Sequence, residues 1–141
     1  MATDFNVDDE PRMYMLVRTD IPGMTLSKAL GQAGHAILNA WYKCFKTDPV
    51  RAETYVNHDG QGKVALRAKN LEVIEKAITK AEELGIPYYM VQDAGRTCID
   101  PGTVTMLGLG PTTKREADPI VKRLQLLKDS DFLRVDNPES A

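Results

Sequence analysis

The chain has 141 residues, 43% of them hydrophobic, with a formal net charge of −2, which suits one folded domain around a single core and argues against a uniformly basic nucleic-acid binder. No apolar stretch approaches the roughly 20 residues that cross a bilayer, and the acidic opening MATDFNVDDEP has no apolar signal core, so a soluble, unexported cytoplasmic protein is expected. Cys44 and Cys98 have neither the density of a disulfide framework nor the CxxC spacing of a zinc or redox site, and read as buried or half-buried thiols.

The charge is unevenly placed along the chain. Residues 1–11 hold four acids and no base, and residues 129–141 hold four acids against Arg134, so both ends read as acidic disordered tails. The body between them, residues 12–128, has 17 Lys and Arg against 12 Asp and Glu. A basic body is compatible with a phosphate-bearing ligand, and equally with a solvated mixed-charge surface.

The first element is a buried strand over Met13–Arg18, ended by a ThrAspIleProGly loop. A long helix follows from a Thr25 cap to about Lys46. Gly31 and Gly34 lie inside it, and because glycine costs about 1 kcal/mol there relative to alanine, they point to close approach by a neighbouring backbone or a ligand. Asp48 and Pro49 open a shorter helix to about His58, which AspGlyGlnGly breaks. Lys63–Ala68 reads as the second strand. Asn70 caps a third helix to Gly85, with Leu71, Ile74, Ala77, Ile78, Ala81 and Leu84 on a core face. Tyr88–Gln92 and Thr103–Leu109 read as the third and fourth strands, separated by ten residues of loop. A last helix begins near Thr112 or Thr113 and carries Ile120, Val121, Leu124 and Leu127 on one side. The resulting β-α-α-β-α-β-β-α order predicts an α/β fold, a three-layer α/β/α sandwich around a mixed sheet of about four strands.

Three places gather groups that do chemistry. Lys28, Gln32 and His35, at i, i+4 and i+7, fall within roughly 60° of one another around a helix axis. An ammonium, an amide and an imidazole on one face suit binding of a phosphate or carbonyl oxygen, water positioning and proton acceptance. The same pattern also fits an ordinary polar helix face with a buried, hydrogen-bonded His35. After the third strand, where α/β sheets collect ligands, Asp93, Ala94, Gly95, Arg96 and Thr97 offer a carboxylate, a guanidinium and a hydroxyl. Turn capping by Asp93 and Thr97 and a surface ion pair for Arg96 are the alternative. Asp20, after the first strand, suits either orienting Arg18 or Lys28 or a plain turn role. Phosphate-loop, dinucleotide, zinc-protease and serine-hydrolase motifs are missing.

Taken together, ValArgThrAsp (17–20), LysAlaLeuGlyGlnAlaGlyHisAla (28–36), AspAlaGlyArgThr (93–97) and ProGlyThrValThrMetLeuGlyLeuGlyPro (101–111) resemble, in order and spacing, the peptidyl-tRNA hydrolase type 2 family. The resemblance spans roughly Met13–Leu127 and departs from the family pattern at Ser27 and Gly34. It implies an often dimeric α/β/α sandwich that cleaves the ester between a peptide and tRNA without an organic cofactor, and no metal site is expected. It carries catalytic roles onto Lys28, Gln32, His35, Asp93 and Thr97. Contacts to the tRNA substrate are expected from Arg18, Asp20, Lys43, Arg96 and Thr103. Two rivals fit the same residues: a non-catalytic RNA-binding or regulatory protein, and a hydrolase of another nucleotide ester or amide.

Overall fold

The order of elements expected from the sequence is the order observed in a computed structural model, which describes residues 7–96 and 99–132. Strand β1 covers Pro11–Arg18, helix α1 Leu26–Thr47, α2 Pro49–Val56, β2 Gly62–Ala68, α3 Leu71–Leu84, β3 Tyr88–Gln92, β4 Val104–Thr113 and α4 Lys114–Val121. Each helix starts where a short polar side chain replaces a missing intrahelical acceptor. Thr25 accepts from the Lys28 amide, Asp48 from Arg51, and Asn70 from Val73, while Thr113 and Glu116 cap each other's backbone reciprocally. Gly85 closes α3 in the left-handed region at φ 71°, where a side chain would be strained.

The sheet order is β2-β1-β4-β3, with β1 and β2 parallel and β4 antiparallel to both of its neighbours. Strands β1, β2 and β3 therefore point the same way and end at one edge, where β4 begins. Helices α1 and α2 cover one face of the sheet and α3 and α4 the other. The larger core joins Tyr14, Leu16, Leu66 and Leu107 to Ile74, Ala77 and Ala81 of α3 and to Ala117 and Val121 of α4. Central β4 is buried continuously from Thr105 to Thr112, as a strand covered on both faces must be.

Several expectations are corrected. Leu84 is 45% exposed, and Ile86, beyond the Gly85 turn, joins the core instead. Strand β4 runs four residues past Leu109 because Thr112 and Thr113 pair with Arg12 and Pro11. Helix α4 ends at Val121, so Leu124 and Leu127 lie beyond it. Residues 125–127 instead run along β2, with the Arg67 amide donating to Gln125 O (2.8 Å) and the Leu127 amide to Ala65 O (3.0 Å). An edge strand has open backbone donors and acceptors, and this segment satisfies those of β2.

No neighbouring backbone comes close to Gly31 or Gly34: a Cβ built on either meets no protein atom within 4 Å. The close approach is at Gly108 of β4, where a Cβ would strike the backbone of Ala36 in α1. The folded contacts also pass the expected bounds of 12 and 128, with Asp9 paired to Arg115 and Asp131 to Arg67. Residues 1–6 and 133–141 of the expected tails, together with Thr97 and Cys98, lie outside the described residues. Cys44 is buried as expected. No helix among the described residues is long and apolar enough to cross a membrane.

Candidate active site

The start of α1 and the loop leaving β3 meet at the sheet edge where β1, β2 and β3 end. Between them lies a cleft of about 590 Å³, lined by Lys28, Gln32 and His35 from α1 and by Val91, Asp93 and Arg96 from β3 and its loop. Spacing on one helix is enough to align the first three. Strand alternation aligns Val91 with Asp93.

Asp93 is the buried centre of the site, its side chain 1% exposed. A carboxylate removed from water stays charged only if partners replace the lost hydration. Its Oδ1 accepts from the Gly95 amide at 2.7 Å, and its Oδ2 is ion-paired with Lys28 Nζ and accepts from Gln32 Nε2 at 3.2 Å. The backbone fixes the same residue, since the Asp93 amide donates to Thr103 O and Asp93 O accepts from Gly102, both at 2.8 Å. The loop is thereby pinched at its base. Gly95 is required within it: its φ is 81°, and a Cβ would lie 2.7 Å from Pro101 Cγ.

Lys28 pairs with Asp93 and lines the cleft, its side chain 14% exposed, and an ammonium carries three donors, more than one carboxylate oxygen needs. Gln32 turns its amide nitrogen to Asp93, and its Oε1 is buried with no hydrogen-bond partner among the described residues. An unfilled buried acceptor is costly and uncommon, and here it lies in the wall of a cleft. His35 lines the cleft and is exposed, not the buried histidine of the alternative reading.

The remaining expected residues divide. Arg96 lines the cleft and is exposed. Arg18 is engaged in a fork with Asp20 (3.0 and 2.9 Å), and it donates to Val104 O at 3.0 Å, so this pair fastens the end of β1 to the start of β4. Thr103 contributes its carbonyl to the Asp93 amide. Lys43 lies over the Tyr88 ring and donates to Tyr88 O at 3.3 Å, at the far end of β3 from Asp93. Thr97 lies outside the described residues. Val91 and Ser27, to which the sequence assigned no place in a site, also line the cleft, as does Gly31, one of the two glycines read as open to a neighbouring backbone or a ligand. Ser27, Gly31 and His35 are spaced four apart on α1 and so share a face, which is the signal the helical wheel offered.

The chain resembles known proteins over nearly all of this architecture. The family model described as Peptidyl-tRNA hydrolase PTH2 matches residues 11–127. A peptidyl-tRNA hydrolase of Saccharolobus solfataricus is 33% identical over 119 residues, covering 82% of this chain and 98% of its own. One from Saccharolobus islandicus is 34% identical over the same shares. A Dictyostelium discoideum relative is 36% identical over 115 residues, covering 82% of this chain and 54% of its own. A match over this length, with the cleft inside it, establishes that the chain belongs to the peptidyl-tRNA hydrolase PTH2 family.

Proposed function

We propose that this chain hydrolyses the ester between a peptide, or an N-blocked amino acid, and the terminal ribose of tRNA, with Lys28 and Asp93 as the central catalytic groups. The observation that carries the assignment is the ion pair of these two residues at the base of the cleft, with the unfilled Gln32 acceptor beside it. Asp93, with His35 at the cleft wall, takes a proton from water as its oxygen attacks the ester carbonyl. Lys28 spends one donor on Asp93 and offers another to the developing oxyanion. Gln32 Oε1 accepts from the attacking water or from a ribose hydroxyl. Collapse breaks the bond to the ribose oxygen, which takes up the proton, leaving a peptide acid and free tRNA. No residue in the cleft forms a covalent intermediate in this scheme, and no cofactor enters it.

Thr97 belongs to this catalytic set through the AspAlaGlyArgThr motif. Arg96 and the basic body hold tRNA phosphates, and the protein acts in the cytoplasm. A homodimer covers the apolar side chains that α1 leaves exposed, among them Leu30 (66%), Leu38 (63%) and Tyr42 (51%).

The test is release of a labelled N-acetyl-aminoacyl group from tRNA by the purified protein, beside Lys28→Ala and Asp93→Asn at matched circular dichroism. Loss of a single oxyanion donor lowers kcat by about 10²–10³, and a drop of that order is expected for Lys28→Ala. Near-normal turnover by both variants would overturn the assignment. Salt-sensitive tRNA binding without turnover by the unmodified protein would mark a non-catalytic binder instead.

A further inference from the structure

The family match ends at residue 127, but the described chain continues as a folded segment to Phe132. This continuation is tied down. The Asp131 carboxylate accepts from Arg67 Nε (3.0 and 3.1 Å), pairs with Arg67 Nη2 at 3.0 Å, and accepts from the Lys128 amide at 2.8 Å. Its side chain is 7% exposed, so the Arg67 fork on β2 holds a sheltered anchor.

The next residue is Phe132, whose ring packs against two clusters. One joins Ile21, Met24, Ala29 and Ile99; the other joins Val17, Ala36, Val91 and Met106. Ala29 follows Lys28 and Ala36 follows His35, Val91 shares a strand face with Asp93, and Ile99 sits on the loop between Asp93 and Thr103. Among the described residues from 94 to 102, Ile99 alone is buried. Besides the hydrogen bonds at its base, the packing of Ile99 is what holds that loop to the body among the described residues.

We infer that Phe132 is a positioning residue for the reaction, a wedge behind the cleft that holds the first turn of α1, with Lys28, against the loop that starts at Asp93. The inference rests on the catalytic reading of Lys28 and Asp93 given above. Reactions of positioned groups lose rate steeply with small displacements, so the wedge acts on turnover and leaves substrate capture largely alone.

The experiment uses the full chain with Phe132→Ala, Phe132→Leu, Asp131→Asn and Asp93→Asn, reading kcat and KM on N-acetyl-aminoacyl-tRNA and hydrogen exchange at the Gly102 amide, which donates to Asp93 O. Phe132→Ala is expected to lower kcat about tenfold with KM within about twofold, and to speed Gly102 exchange. Phe132→Leu, which keeps an apolar wedge, is expected to restore most of the rate. Unchanged kcat in Phe132→Ala, unchanged Gly102 exchange, or a loss that leucine does not restore would overturn the inference. If Phe132→Ala does not fold, Asp131→Asn decides: a lower kcat with faster Gly102 exchange supports the wedge, and a normal kcat overturns it. An active Asp93→Asn sinks the catalytic reading itself, whereas an inactive Asp93→Asn beside a fully active Phe132→Ala sinks only the wedge.

Discussion

Gly108 lies directly beneath Ala36: a Cβ on this β4 residue would fall 2.8 Å from the Ala36 carbonyl carbon. Helix α1 therefore rests on the sheet backbone at the turn that follows Gln32 and includes His35, and this contact sets the height of the cleft wall above Asp93. Gly108→Ala is expected to push the helix outward, costing about 1–3 kcal/mol as an overpacked site does. A lower urea midpoint and a reduced kcat should appear together. A variant as stable and as active as the parent would show that the contact yields without consequence.

Gln32 bridges stability and chemistry. Replacing it with leucine removes both the donor to Asp93 and the unfilled acceptor, and a loss of about tenfold or more in kcat is expected for hydrogen bonds made to a charged group. Gln32→Glu should be worse at neutral pH, because it sets a second carboxylate against a buried one. The comparison to make is kcat for both variants across pH, with the glutamate variant recovering part of its loss on acidification.

At the opposite end of the sheet from the cleft, where β4 ends, Arg51 makes a fork with Glu116 (2.9 and 3.1 Å) and so ties α2 to the first turn of α4. The Arg51 hydrogen bonds hold the Glu116 carboxyl below its ordinary value of 4.5. A carboxyl lowered by folding stabilises the native state above its unfolded value and loses that contribution as pH falls through the folded one. Glu116→Gln should therefore be less stable than the parent at pH 7, by no more than about 1 kcal/mol because the pair is partly exposed. The difference should narrow as pH falls below 4.5 and close once the pH passes the lowered folded value. Melting temperatures of both proteins from pH 7 to pH 3 check the sign.

If the exposed guanidinium of Arg96 meets a tRNA phosphate, Arg96→Ala should weaken tRNA binding similarly for different tRNAs and reduce the salt slope of the binding constant by about one. The measurement is tRNA affinity over a salt series. An unchanged slope would remove Arg96 from the RNA contact.

Much of this molecule was legible locally. Thr25, Asp48, Asn70 and Thr113 mark helix starts because a cap is a contact between residues three apart. Lys28, Gln32 and His35 share a face because helical geometry alone sets their angles. The family motifs then assign a fold and an activity to the same residues.

What the sequence could not settle was every contact between distant segments. Asp93 is 61 residues from Gln32, and no periodicity links them; only the parallel course of β1 and β3 beneath α1 brings the carboxylate to the helix. The close approach of one backbone to another fell at Gly108, not at Gly31 or Gly34, because that depends on where a helix crosses a sheet. Arg18 reached Val104 O across the sheet, Lys43 came to lie over Tyr88, and residues 125–127 left a helical pattern for the open edge of β2. Local sequence set the elements and the groups each presents; the packing of one layer on another decided which of those groups meet.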